Sequence, residues 1–154
     1  MNSTSEYRIE KQKRPLHVLL TDGNWLEGEI FLRPVTRHRS RPEEPVDLLN
    51  DPDPFFALLR NGETMLVAKS SVARAETSYQ GDDDLDVASL GVFVEVTMTD
   101  GNVCTGCIFL ESRTGRPRLM DYLNSYRDRF LPVVDARQVI LVNTNTIAHV
   151  REVA

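Results

Sequence analysis

Cysteine is scarce in this chain of 154 residues: only Cys104 and Cys107, in the C-x-x-C spacing of zinc knuckles and dithiol redox centres. The histidines, His17, His38 and His149, are too dispersed to join them. A structural zinc site takes four ligands, and there is no further cysteine to complete one. No apolar stretch approaches the length of a membrane span, and the opening "MNSTSEYRIEKQKRP" lacks the apolar centre of a signal peptide. The expectation is a cytoplasmic protein with unpaired thiols. Lysine is rare too, three against fifteen arginines, and the formal net charge is −5. That balance opposes wholesale attraction to nucleic acid or anionic lipid but permits a local basic patch. Also missing are G-x-S-x-G, a phosphate-cradling glycine loop and a His-based nucleophile pair. No enzyme, cofactor, metal or small-molecule substrate is therefore expected. The acidic run "DDDLD" (Asp82, Asp83, Asp84, Asp86) lacks the glycine and terminal glutamate of a calcium loop and reads as solvated linker.

What the chain does contain is nearly the same text twice. Residues 16–32, "LHVLLTDGNWLEGEIFL", and 94–110, "VEVTMTDGNVCTGCIFL", share nine identities in seventeen gap-free positions at an offset of 78. Further on, "DLLN" (47–50) answers "DYLN" (121–124), Phe55 answers Phe130, and "MLVAKSSVA" (65–73) answers "ILVNTNTIA" (140–148) at an offset of 75. Self-similarity of this kind predicts a tandem duplication. Each copy reads as five short strands: 16–21, 25–32, 55–60, 64–69 and 71–76, then 92–99, 103–110, 130–135, 138–143 and 145–151. The Asp-Gly of "TDGN" is a strong hairpin signal, and "PVDLLN" suggests one short helical turn per repeat. The fold class expected is all-β, two tandem five-stranded small barrels. Its parts would be a polar tail (1–14), a first barrel (15–76), an acidic linker (77–91) and a second barrel (92–154). Units of this size bury only about 60% of their unfolded surface, so the two should pack together.

The duplication places Cys104 opposite Leu26 and Cys107 opposite Glu29, both on the second strand of the second unit. Alternation along a strand sends residues three apart to opposite faces. One core thiol and one surface thiol are expected. Trp25, Phe31, Val103 and Phe109 share the outward parity of the second strands, which suits either a partner's surface or packing between the repeats.

The central loops differ most from an ordinary hairpin protein. The first carries Arg33, Arg37, Arg39 and Arg41 around His38, the second Arg113, Arg116 and Arg118, and each delivers an Asp-x-Leu-Asn quartet. Such arginines could hold phosphate, a partner's carboxylates or the protein's own aspartates. Asp47 and Asp121 could be helix N-caps, with Leu49 and Leu123 plugging a barrel end and Asn50 and Asn124 closing the turn. Alternatively the two loops form equivalent binding edges through Arg37, Arg39, Arg41, Asp47, Asn50, Arg116, Arg118, Asp121 and Asn124.

The order of strand, Asp-Gly turn, glycine-containing strand, Asp…Asn loop and closing strand pair resembles the Sm-like (SH3-like) small β-barrel. "LVNTNTIAHV" supplies the closing pair, and Arg118 to Asn124 is similar to uncharacterised bacterial domains of this plan. The Asp-to-Asn spacing is one residue shorter than the family's usual loop. The resemblance implies barrels that join edge to edge. It also implies that Asp47, Asn50, Asp121 and Asn124 are the positions that would hold an RNA base. Two functions follow: a scaffold whose edges and Arg loops bind a protein partner or another copy, or an RNA-binding protein contacting single strands through the two loops.

Overall fold

Period-two alternation of Leu16 and Val18, of Ile30 and Leu32, and of Val94, Val96 and Met98 gives each strand one apolar face, and these faces are buried. The structure, a computed structural model, describes residues 12–34, 41–78, 90–110, 118–136 and 138–153. In the first half β1 (Gln12–Leu20) and β2 (Trp25–Leu32) precede the short helix α1 (Pro45–Asn50). β3 (Phe55–Arg60), β4 (Glu63–Ala68) and β5 (Val72–Ser78) follow. The second half runs β6 (Leu90–Met98), β7 (Val103–Leu110), α2 (Leu119–Ser125), β8 (Phe130–Asp135), β9 (Gln138–Asn143) and β10 (Ile147–Glu152). The protein is mostly β, as the alternation predicts. β1 begins inside the expected tail because Gln12 still pairs with Leu32, and β5 and β6 reach into both ends of the expected linker. "DDDLD" lies outside the described residues.

The ten strands form one open antiparallel sheet in the order β10-β6-β7-β8-β9-β5-β1-β2-β3-β4. Each half contributes its strands in the same order, fifth, first, second, third, fourth, and the halves join where β9 pairs with β5. Arg74, Ala75 and Glu76 there face Val142, Leu141 and Ile140.

Local chemistry sets the turns. Asp22 accepts from the Asn24 amide at 2.9 Å, and Asp100 from that of Asn102 at the same distance, which closes both four-residue loops around a glycine at φ +91°. The Asn102 amide holds the Asp100 carboxyl below the ordinary aspartate value. β3 turns into β4 through Asn61 and Gly62, both at positive φ, the demand of a two-residue hairpin turn. β5 and β10 each carry a bulge where they pair with the first strand of their half, at Ala73 and Ala148, and bulges bend a strand.

Two cores lie side by side. Leu16, Val18, Ile30, Leu49, Phe56, Leu58 and Val72 belong to one, Val94, Val96, Cys104, Ile108, Leu131 and Val133 to the other. The β8–β9 hairpin serves both. Leu131, Ile140 and Val142 point into the second core, while Phe130 and Leu141, on the opposite parity, enter the first.

Candidate functional site

The Asp-x-Leu-Asn quartet of the first half is occupied by its own chain. Glu44, not Asp47, is the N-cap of α1; Asp47 stands at the third helical position and accepts from the Glu44 amide at 2.9 Å. The Pro-Glu-Glu-Pro run explains the shift, since proline is best tolerated at the first helical position, and here that is Pro45. Arg41 meets the Asp47 carboxylate with both terminal nitrogens, at 2.9 and 3.3 Å, and also reaches Glu44 at 3.4 Å. Of the uses open to these arginines, Arg41 serves the protein's own aspartate. Leu49 plugs the first core.

Asn50 is used across the sheet rather than within its turn. Its amide oxygen accepts from the Phe130 N–H at 2.8 Å and its Nδ2 donates to the Phe130 carbonyl at 3.0 Å. This two-point clasp fixes the start of β8 against α1. Tyr126 donates its hydroxyl to the same carbonyl, and burial pushes its phenol above the ordinary tyrosine value. Asn143, buried, donates to the Val72 carbonyl at 2.8 Å, and the Thr146 hydroxyl, which donates to the Asn143 carbonyl at 2.7 Å, lies 3.3 Å from the Ala73 carbonyl. The junction between the halves is thus a ladder edged by side-chain clasps.

In the second half the equivalent groups are open. α2 starts after Arg118, which is its N-cap, so Asp121 again stands at the third helical position. Arg118, Asp121 and Asn124 are exposed, and Leu123 packs on the second core. Arg127 donates to the Asn124 carbonyl at 2.7 Å, leaving the Asn124 side chain without a hydrogen bond among the described residues. Arg37, Arg39 and Arg116, with His38 and Arg113, lie outside the described residues. Described members of the expected site therefore fall into two separate groups, one per half.

Sequence reasoning missed Lys69. It is 2% exposed, and its ammonium meets the Asp51 carboxylate at 2.7 Å and the Asp51 carbonyl at 3.1 Å. It lines a cleft of about 350 Å³ between the halves, with Asp51, Asp53, Arg127, Asp128 and Arg129. The signal available was one of only three lysines standing where, at the offset of 75, the second half has Thr144.

The two thiols lie at different depths, Cys104 buried and Cys107 half-buried, and both are free. Burial raises both above the ordinary cysteine value, which keeps them protonated at neutral pH. Since the thiolate is the nucleophile, a disulfide-exchange reagent at pH 7 should label Cys107 more slowly than free cysteine and leave Cys104 unlabelled until the protein unfolds. Rapid labelling of both in the folded state would overturn this. Among the described residues no cluster of three His, Cys, Asp or Glu side chains is placed to hold a metal, and no helix is long and apolar enough to cross a membrane.

The outward aromatic residues do not build the junction. Trp25 is exposed beneath the Arg74 guanidinium, 5.5 Å from its ring, and Lys13 covers Phe31 at 5.9 Å. Other open features among the described residues include Phe93 and Val103, both exposed, and the two ends of the sheet. β4 presents Met65 and Leu66 to solvent, Phe55 is exposed beside it on β3, and β10 is exposed at Ala148, His149, Arg151 and Glu152. Comparison with protein-family models, with curated proteins and with solved structures finds no match for this chain.

Proposed function

We propose that this protein is a non-enzymatic binding scaffold whose two end strands, β4 and β10, accept an extended strand from a protein partner. The proposal includes a duplicated architecture in which each five-stranded half curls into an Sm-like small barrel, helped by the matching bulges in β5 and β10. The observation that supports it most is the exposed apolar edge of β4: a strand paired on one side with β3, open on the other and bearing Leu66 and Met65, is a template for strand addition. Arg118, Asp121 and Asn124, exposed on α2 and its N-cap in the second half, supply further polar groups for a partner.

The RNA reading meets a physical objection in the first half, where Arg41 and Asn50 already have partners inside the chain. Purification without nuclease should yield protein free of nucleic acid, with a light-scattering mass that does not fall as salt rises. Co-purifying RNA that leaves steeply with salt would reverse the assignment. The edges themselves can be probed with a synthetic peptide of residues 138–143 flanked by solubilising lysines, because this segment already adds to a strand edge within the chain. The peptide should slow hydrogen exchange at β10 amides. Unchanged exchange at saturating peptide would remove the edges from the proposal.

A further inference from the structure

The sheet holds a worked example of how its own ends can be covered. β5 and β9 meet at its centre, and the strands in their places in the other half, β10 and β4, are its two ends. At the offset of 75, Leu66 stands for Leu141 and Phe55 for Phe130. Leu141 and Phe130 are 0% exposed because they enter the other half's core; Leu66 and Phe55 are 69% and 55% exposed. On the opposing strand Ala73 and Ala75 are buried, while Ala148 is exposed and Val150 half-buried. Asn50 grips Phe130, and its counterpart Asn124 is exposed. Val46 of α1 packs on the first core, and Met120, in the same place on α2, is exposed. The two ends are the separated faces of an interface whose joined form is the middle of the molecule.

We infer that the occupant of these edges is a second copy of this chain, docked head to tail with β4 of one copy antiparallel to β10 of the next. The inference rests on the reading of β4 and β10 as docking edges. Moving the observed register by 75 in each strand turns Ala75↔Leu141 into Val150↔Leu66, and Arg74↔Val142 into His149↔Val67. Charge agrees with the placement. Gln138 donates to Glu76 diagonally across the central junction at 3.4 Å, and the transposed pair is Glu63 and Arg151, an acid diagonal to a base that within its own chain holds Glu95 at 3.0 Å. Leu66 and Phe55 enter the neighbour's second core, and the neighbour's Asn124 clasps the Phe55 backbone. One clasp is lost, because Ala68 replaces the junction's Asn143, so the contact between copies is weaker than the one within the chain. Each copy uses one edge and offers the other, which makes the contact heterologous and the product a ring or a filament.

The test uses the full chain in light scattering over a concentration series. The wild type should grow in mass with concentration. Leu66→Lys, which blocks β4, and Ala148→Arg, which blocks β10, should each be monomeric and melt at the temperature of wild type diluted to its monomer, since both sites are solvent-exposed. Mixed together, they should form a one-to-one dimer that grows no further, because each supplies the edge the other lacks. Asn124→Ala should weaken association about tenfold without changing the monomer's melting. A wild type that stays monomeric at all concentrations, or a mixture that never dimerises, overturns the inference. In that case protection of β10 by the 138–143 peptide would leave the edge reading standing with a different protein as partner, and absence of protection would remove both.

Discussion

Phe130→Ala should lower the unfolding free energy by about 3–5 kcal/mol, the range for deleting a buried aromatic ring. Phe55→Ala, at the matching position of the other half, should change it by less than about 0.5 kcal/mol, as exposed substitutions do. The two rings differ in what lies over them. Phe130 is fully buried, sits in the first half's core and is held there through its own backbone by Asn50. Removing its ring opens a cavity in a core built mostly from the other half of the chain. Urea unfolding followed by tyrosine and tryptophan fluorescence measures both variants. For a domain with a stability of about 5–15 kcal/mol, the Phe130 loss is a large fraction. If Phe130→Ala unfolded in two resolved transitions, the halves would be only loosely coupled; a single, earlier transition is expected.

Gly106→Ala and Gly28→Ala should each cost about 1–2 kcal/mol net despite adding a single methyl group. At both positions the third strand of the half crosses the second through a single ladder pair, Cys107↔Val134 and Glu29↔Leu59. A Cβ on Gly106 would lie 2.6 Å from the Val134 carbonyl oxygen, and one on Gly28 would lie 2.6 Å from that of Leu59. Backbone oxygens cannot swing aside as a side-chain tip can, so the strands must separate, and overpacking of this kind typically costs about 1–3 kcal/mol. Some of the loss is offset by the lower unfolded-state entropy of alanine, worth roughly 0.4–1 kcal/mol. Gly91→Ala is the control: its nearest neighbour would be the Phe109 ring at 3.2 Å, and that ring can shift. Loss of stability at Gly91 equal to that at Gly106 would contradict the close-crossing account.

Much of the architecture could be read from the residues because it is local. Alternation of Leu16 with Val18 and of Ile30 with Leu32, the Asp-Gly turns, and the short helical turn at "PVDLLN" all act within a few positions, so strands and helical turns fall where they are expected, although the N-cap is Glu44 and not Asp47. The junction could not be read that way. Whether β9 leaves an edge free or joins β5 depends on which strand ends are brought together in space, and nothing in "QVILVN" distinguishes an inner strand from an outer one. Outward parity singled out Trp25 and Phe31, but Trp25 stays exposed beneath Arg74, Lys13 of β1 lies over Phe31, and the halves are joined by Phe130 and Leu141 instead. Asn50 was legible as a turn residue, not as a clasp, since its partner lies 80 positions away. Lys69 was invisible because burial of a lysine beside Asp51 requires a cleft that both halves build.

The pairing of β5 with β9 also sets an order of events while the chain is made. β5 ends at Ser78 and β9 begins at Gln138. At a synthesis rate of about 5–20 residues per second, roughly 3–12 s separate their emergence. During that interval the nascent first half carries a bare β5 edge and lacks the Phe130 and Leu141 side chains that complete its core. The β9 of a neighbouring chain on the same message would fit that edge as well as its own. Spacing between ribosomes therefore bears on yield, and a pause after residue 78 would favour exchange of hairpins between chains over correct closure.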